Sequence, residues 1–339
     1  MKLLSRLVAL HLAALPLAAL AIAAAGPAQA EGQVSIAQQF GTTYLPLHVM
    51  RDQKLIEKHG TAAGIDIAVD WKRLTGGAAI NEAIVSGAVD FAAGGVPPLL
   101  LLWDRTRKNV GVKAVGALGE QSNVLVTNKP GINSITDFGP DDRIAMPAAI
   151  VSLQGRILQM ALEKKLGQGK HTLLDRNMIG LPHADSMTAI LSGSTEVTGY
   201  FSNPPFQQQI VKDPKVRTIL NSEEVFDGPA TGVLFYATTR FKKENPKTFG
   251  AVFAALNEAT EWIAANKGEA ARTYVRVEQS KLDPAFIEEV ISGDDVKFTT
   301  TPAKTYTFAD FLYRIGSIKT MPDSWKDYTF EELHDRPGS

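Results

Sequence analysis

The sequence predicts an α/β protein made of two similar lobes, each with a mostly parallel sheet, joined by two crossing segments. Three observations carry this. Short apolar or β-branched runs alternate with helical stretches of about ten residues, the rhythm of βαβ units. That rhythm starts near residue 34 and starts again near residue 143. A segment of the first half also recurs in the second: Ala83–Phe91 (AIVSGAVDF) against Ala189–Val197 (AILSGSTEV), each followed by a Pro-Pro pair, Pro97-Pro98 and Pro204-Pro205. Two matches in the same order, with too few copies for a solenoid, indicate two related lobes.

In the first set, Val34–Ala37 reads as a short buried strand and Leu45–His59 as an amphipathic helix stopped by Gly60. Ile65–Trp71 alternates as a strand does, Ala78–Ser86 is helical with Gly87 ending it, and Val89–Ala92 is again a strand. In the second set, Arg143–Met146 is a strand, Ser152–Leu166 a helix ended by Gly167, and Asn177–Gly180 a strand. His183–Leu191 then reads as a helix and Glu196–Phe201 as a strand. Ser122–Thr127 and Thr231–Ala237 are extended and β-branched, and stand where the chain would pass between lobes. The last third is helical, over 247–266, 269–277, 284–292 and 307–317, as expected of helices that cover a sheet.

Residues 1–30 stand apart from this pattern. Lys2 and Arg6 precede an Ala/Leu-rich run, Gly26-Pro27 breaks it, and Ala28-Gln29-Ala30 is a small-x-small site before Glu31. This is the three-part pattern of a secretory signal peptide, expected to be cut after Ala30. His11 and Pro16 interrupt the run, which argues against a membrane anchor. The processed chain carries a net charge near −3, and no later segment is apolar enough to span a membrane. An exported, unanchored, mildly acidic protein fits a Gram-negative periplasm.

Composition narrows the function. With 45% hydrophobic and 21% charged residues and a formal net charge of −1, the chain is an ordinary globular protein without the basic bias of a nucleic-acid binder. It has no cysteine, which removes disulfides, thiolate metal sites and cysteine nucleophiles together. There is no Gly-x-Ser-x-Gly elbow, no His-Glu-x-x-His, no P-loop and no Gly-x-Gly-x-x-Gly after a strand. Gly167-Gln-Gly169-Lys170 lacks the upstream glycine of a P-loop and follows a helix. The histidines beyond residue 30 (His48, His59, His171, His183 and His334) have no metal-ligand spacing. No catalytic residue, cofactor or metal is therefore assigned.

In open α/β sheets, ligands bind beyond the carboxyl ends of the strands, where loops lead into helix N-termini. The strand-end loops here are 38–44, 74–77 and 94–97 in the first set, and 147–154 and 201–205 in the second. They are rich in Gly, Thr, Ser, Asn and Gln. Such loops suit a polar or anionic small molecule, because glycine admits close backbone approach and a helix start offers free N–H donors. Each loop taken alone is also explained by turn and capping chemistry; together, at matching ends of two lobes, they indicate a binding cleft. Trp71-Lys72-Arg73 is either a charged rim for a carboxylate or sulfonate, or a solvated edge. His183-Ala-Asp185 is either a ligand or metal contact or a helix start, and Tyr44, Phe201 and Phe206 are either pocket walls or core.

With Leu55–Gly60 (LIEKHG), Val69–Gly77 (VDWKRLTGG), Ala83–Phe91 and Ser202–Phe206 (SNPPF) in this order, the chain resembles the nitrate/sulfonate/taurine group of ABC-importer substrate-binding proteins, which includes relatives binding thiamine pyrimidine precursors. The resemblance covers nearly all of residues 31–339. It implies a type II periplasmic-binding-protein fold, with lobe one as 31–121 plus 232–339 and lobe two as 122–231. It also implies ligand contacts at Gln39, Thr42, Thr43, Tyr44, Gly76, Gly77, Gly95, Val96 and Pro97. In lobe two and the crossing it implies Ser122, Asn123, Ser152, Leu153, Gln154, Asn203 and Pro204. The function so implied is non-catalytic: a monomer that closes on a small organic, anionic ligand and presents it to an inner-membrane ABC permease. An enzyme on the same scaffold, or a sensor subunit serving a membrane receptor, are the alternatives. The cysteine-rich chemistry of the related pyrimidine synthases is absent here.

Overall fold

Twelve strands organise the computed structural model, which describes residues 31–74, 77–193 and 196–339. Residues 1–30, expected to be a signal peptide, lie outside the described residues. The first sheet holds β1 (Gln33–Gln38), β2 (Ala68–Arg73), β3 (Phe91–Gly95) and β4 (Val112–Ala117). The chain leaves through β5 (Glu120–Gln121) into a second sheet of β6 (Val124–Thr127), β7 (Arg143–Met146), β8 (Met178–Gly180), β9 (Val197–Phe201) and β10 (Arg217–Asn221). It returns through β11 (Ala230–Thr231) and β12 (Val233–Thr238), and β12 joins the first sheet. β5 and β11 pair antiparallel, so the two crossings form one two-stranded ribbon.

The sheets have the same plan. Their orders are β2-β1-β3-β12-β4 and, read in the matching direction, β8-β7-β9-β6-β10. β3 and β9, the strands of the internal sequence echo, take the same place. Four of the five strands in each sheet run the same way, the mostly parallel arrangement expected, and one strand in each makes the sheet mixed. β12 runs antiparallel to β3 and β4, and β6 runs antiparallel to β9 and β10. The reason is topological: β6 and β12 are the strands that follow the two crossings, so each enters its sheet from the opposite end.

Apolar alternation decides the layers. Along β12, Val233, Phe235 and Ala237 pack into one core, and Leu234 and Tyr236 into the other. All six residues of β12 are buried, as expected of a central strand covered on both faces. Helices Leu45–Asp52, Pro246–Ala265 and Lys267–Glu278 cover one face of the first sheet. Helices Val96–Thr106 and Thr305–Arg314 lie on the other, where one core runs on into lobe two through Leu153, Ile157 and Leu158.

Two elements depart from the expected pattern. The stretch expected as one helix from Leu45 is two, Leu45–Asp52 and Leu55–Ala62, because Lys54 turns left-handed at φ +52°. Gly60 does not stop the second helix; it lies inside it, where a β-carbon would come within 2.6 Å of Ile67 Cγ1. Its glycine serves packing of helix on strand.

Candidate functional site

A cavity of about 160 Å³ lies between the lobes, at the carboxyl ends of the strands. The loop after β1 brings Gln39, Phe40, Thr43 and Tyr44 to it, and the loops after β2 and β3 bring Gly77, Gly95 and Pro98. From the second lobe, the loop after β7 supplies Pro147, Ala148, Ser152, Leu153 and Gln154. The loop after β8 supplies Pro182, His183 and Ala184, and that after β9 supplies Asn203 and Phe206. Gln121, Asn123 and Val233 line it from the crossing. A space of this size takes a molecule of about one six-membered ring.

The site's electrostatics come from backbone rather than from side chains. Among the described lining residues there is no Lys, Arg, Asp or Glu. Three helices, Gly77–Ser86 from the first lobe and Leu153–Leu166 and His183–Ser192 from the second, begin at lining residues, and a fourth, Val96–Thr106, begins next to the lining residue Gly95. Their positive dipole ends lie at the cavity wall, a favourable setting for a negatively charged or strongly dipolar group. Val96–Thr106 offers no free N–H there, since Val96 N donates to Gly232 O and Pro97 and Pro98 have none.

His183 adds no charge. Loss of solvation pushes its pKa down to about 3, so the imidazole is neutral at ordinary pH. Its Nδ1 lies 2.8 Å from Tyr200 Oη, and its ring stacks on Phe206 at 5.5 Å. Burial pushes the Tyr44 phenol well above its usual range, so that group also stays neutral. Affinity for a ligand that does not itself titrate is therefore expected to change by less than about twofold between pH 5.5 and 8. Calorimetry across that range checks this; a steep rise below pH 6.5 would mean that a protonated imidazole meets the ligand.

Most polar lining groups are already engaged. Gln121 Nε2 donates to Thr43 Oγ1, and Tyr44 is hydrogen-bonded to Gln39. Ser152 Oγ donates to Ala149 O at 2.6 Å and accepts from Gly155 N at 3.0 Å, the N-cap of helix Leu153–Leu166. Ser152→Ala is expected to lower stability by about 1 kcal/mol, as loss of a cap does, measurable as a reduced urea midpoint.

Asn123 and Asn203 differ from these. They are 2% and 7% exposed, and each Oδ1 is buried with no partner. Their backbones are held from outside the cavity. Asn123 exchanges two hydrogen bonds with Ser222, both 2.9 Å. Asn203 O accepts from Gln207 N at 3.0 Å, and Gln207 Nε2 donates to Ser122 O at 3.2 Å. Asn123 immediately precedes β6 and Asn203 lies two residues past β9, and these two strands are paired with Leu125 opposite Phe201. Two carboxamides thus line one cavity, in a setting where a buried amide ordinarily has a partner.

Of the residues expected from sequence, the structure brings ten to the cavity wall: Gln39, Thr43, Tyr44, Gly77 and Gly95, with Asn123, Ser152, Leu153, Gln154 and Asn203 from the crossing and lobe two. Thr42, Val96, Pro97, Ser122 and Pro204 do not line it. Thr42 N donates to Pro204 O at 3.3 Å, a bond between lobes. Val96 and Pro97 are buried in the first turn of their helix, and Ser122 Oγ donates to Glu223. Gly76 lies outside the described residues. Phe201 and Trp71 pack into cores rather than the cleft. Arg73 pairs with Glu278 at 3.0 Å and stacks 4.5 Å over Phe40, while Lys72 Nζ donates to Ala88 O.

Phe40, Pro147 and Ala148 were not singled out, although they sit in loops that were. After β8, the expected alternative of a ligand contact at His183-Ala-Asp185 falls at the wall for His183 and Ala184, with Pro182 beside them. Pro98 stands out in the sequence only as half of the Pro-Pro echo, and Gln121 and Val233 carry no local signal of a site, since only the meeting of lobe and crossing exposes them to the cavity. Among the described residues, no group of three or more His, Asp or Glu could hold a metal ion, and no helix is long and apolar enough to cross a membrane.

The family model described as the NMT1-like family matches residues 28–277. No curated protein sequence matches the chain. Among solved structures, the alkanesulfonate-binding protein SsuA from Xanthomonas axonopodis pv. citri, bound to MOPS, is similar at 19% identity and a TM-score of 0.64, over 86% of this chain and 95% of that one. The periplasmic nitrate-binding protein NrtA from Synechocystis PCC 6803 is similar at 16% identity and a TM-score of 0.70, over 89% of this chain and 87% of that one. The periplasmic aliphatic sulphonate-binding protein SsuA from Escherichia coli is similar at 16% identity and a TM-score of 0.64, over 90% and 99%. At these identities the likeness establishes the fold, the two-lobe architecture of periplasmic binding proteins.

Proposed function

The chain belongs to the NMT1-like family, and from this and the geometry of its cleft we propose that it is a non-catalytic periplasmic solute-binding protein of an ABC importer. Lobe one is 31–121 plus 232–339 and lobe two 122–231, and the lobes close on a small organic ligand with one anionic or strongly dipolar head. The observation that carries the reading is the pair of buried, unpartnered carboxamides of Asn123 and Asn203 on the cavity wall. Each Oδ1 is an acceptor, so the partner it lacks is an N–H or O–H donor carried by the ligand beside its anionic head. Helix N-termini face the head, while Phe40, Tyr44 and Phe206 enclose its apolar part. The body is larger than nitrate, because these rings and the prolines beside them offer little to a small inorganic ion. Ligand that touches both lobes binds the closed form better, and so shifts the open–closed equilibrium toward the form a permease recognises.

The test is a thermal-shift panel on residues 31–339, stripped of ligand by unfolding and refolding. It contains alkyl and aryl sulfonates, taurine, nitrate, aromatic carboxylates and pyrimidines. A true ligand at about 100 times its Kd adds about 2.7 kcal/mol, a rise of roughly 5 °C for a chain of this size. One coherent class is expected to give that shift and to be recovered unchanged. Recovery of a converted compound would replace this reading with an enzyme's, and a response to nitrate alone would remove the organic ligand.

A further inference from the structure

We propose that Leu153 gauges ligand length, as a knob from lobe two seated in a socket that two missing β-carbons leave in lobe one. This rests on the small-molecule reading above and adds what that site selects. Leu153 is the first residue of helix Leu153–Leu166, 8% exposed, and it lines the cavity. Two glycines face it. A β-carbon on Gly95 would stand 3.2 Å from Leu153 Cβ and 3.6 Å from its N, and one on Gly232 would stand 2.8 Å from Leu153 Cδ2.

The backbone does not ask for glycine at either place. Gly95 has φ −57° and ψ 151°, a conformation open to any residue, and Gly232 is not among the positive-φ glycines. Space for Leu153 is what these positions provide. The socket is stiff: Val96 N donates to Gly232 O at 3.0 Å, and Gly95 pairs with Val233 in the middle of the first sheet. The knob is fixed as well, since the Ser152 cap holds the helix start. A ligand that extends toward Leu153 has no slack there. Another methylene on that side lifts the knob from the socket and parts the lobes.

A hydrophobic wall of this kind discriminates one methylene by roughly 10- to 200-fold. Calorimetric titration with carboxylates and sulfonates of graded length, methyl to octyl and phenyl to phenylbutyl, reads the gauge. The parent is expected to lose tenfold or more in affinity with the first methylene past its optimum. Leu153→Ala is expected to move the optimum to longer members, and Leu153→Val, a smaller truncation that guards against misfolding, to move it less. An optimum unchanged in both variants, with all members weakened alike, overturns the gauge and leaves the solute-binding reading intact. Binding of no member by parent or variants overturns the organic-anion reading, and the gauge with it.

Discussion

Asn123→Ala and Asn203→Ala are each expected to weaken ligand binding by about 10- to 100-fold while the empty protein melts no lower than the parent. The two halves of this result have one cause. A buried carboxamide that pairs only with ligand contributes nothing to the folded empty state; it lacks a partner there and carries its desolvation penalty. Truncation relieves that penalty and leaves a small void, so the melting temperature stays level or rises slightly. In the complex, the ligand's own polar group is left without its partner, which costs about 1–3 kcal/mol. An amide that served the fold would behave oppositely, lowering the melting temperature with little effect on affinity. Because Asn123 and Asn203 line the same cavity and would meet the same ligand, the double variant is expected to lose less than the sum of the two. Asn203→Asp extends the argument. It puts a carboxylate into a cavity whose described walls hold no cationic side chain, and an anionic ligand would then bind worse than it does to Asn203→Ala.

The architecture was legible because it is written in local patterns twice. Ala83–Phe91 and Ala189–Val197 carry the same helix end, Ser-Gly turn and acidic strand start, and they became β3 and β9 at equivalent places in two equivalent sheets. Strand direction was less legible. Nothing in the composition of 124–127 or 233–238 says that these strands enter from the opposite end; that follows from the crossings. β10 (Arg217–Asn221) and β4 (Val112–Ala117) also escaped notice. β10 is an edge strand whose exposed, polar members blur the alternation, and Gly116 interrupts β4 where Leu256 packs 2.8 Å from the β-carbon it lacks.

The site was half legible for a related reason. Loops at strand ends can be found from sequence, but which side chain in a loop turns inward depends on the other lobe. Arg73 shows this well. As one of three residues at the end of a strand it suited an anionic ligand, yet Glu278, from a helix some 200 residues later, already neutralises it. Its guanidinium instead backs the ring of Phe40, which lines the cavity. The charge therefore supports the wall and does not meet the ligand.

Acidification is expected to destabilise the empty protein from about pH 6.5 downward, although it leaves ligand affinity unchanged. His183 has its pKa pushed down to about 3, and burial lowers that of His48 as well. His48 is fully enclosed, with Nε2 2.8 Å from Glu278 Oε1 and Tyr274 alongside; Glu278 favours its protonation, while Arg73 and Arg51 oppose it. In the unfolded chain both histidines titrate near 6.5. The sign follows directly. Below pH 6.5 the unfolded state takes up a proton that the folded state refuses, so stability is fully present above 6.5 and is lost as pH falls toward 3. The slope is about 1.4 kcal/mol per pH unit for one such histidine, or about 2.7 kcal/mol lost through His183 by pH 4.5. Urea unfolding of the ligand-free protein at pH 7, 6, 5 and 4.5 measures it, and His183→Gln, which keeps a polar side chain facing Tyr200, is expected to flatten the curve. Stability that stays level from pH 7 to 5 would mean that neither imidazole is held neutral. The two pH experiments then bear on each other: an imidazole neutral in both the empty and the liganded protein leaves affinity flat, while the same neutrality, absent from the unfolded chain, makes the fold sensitive to acid.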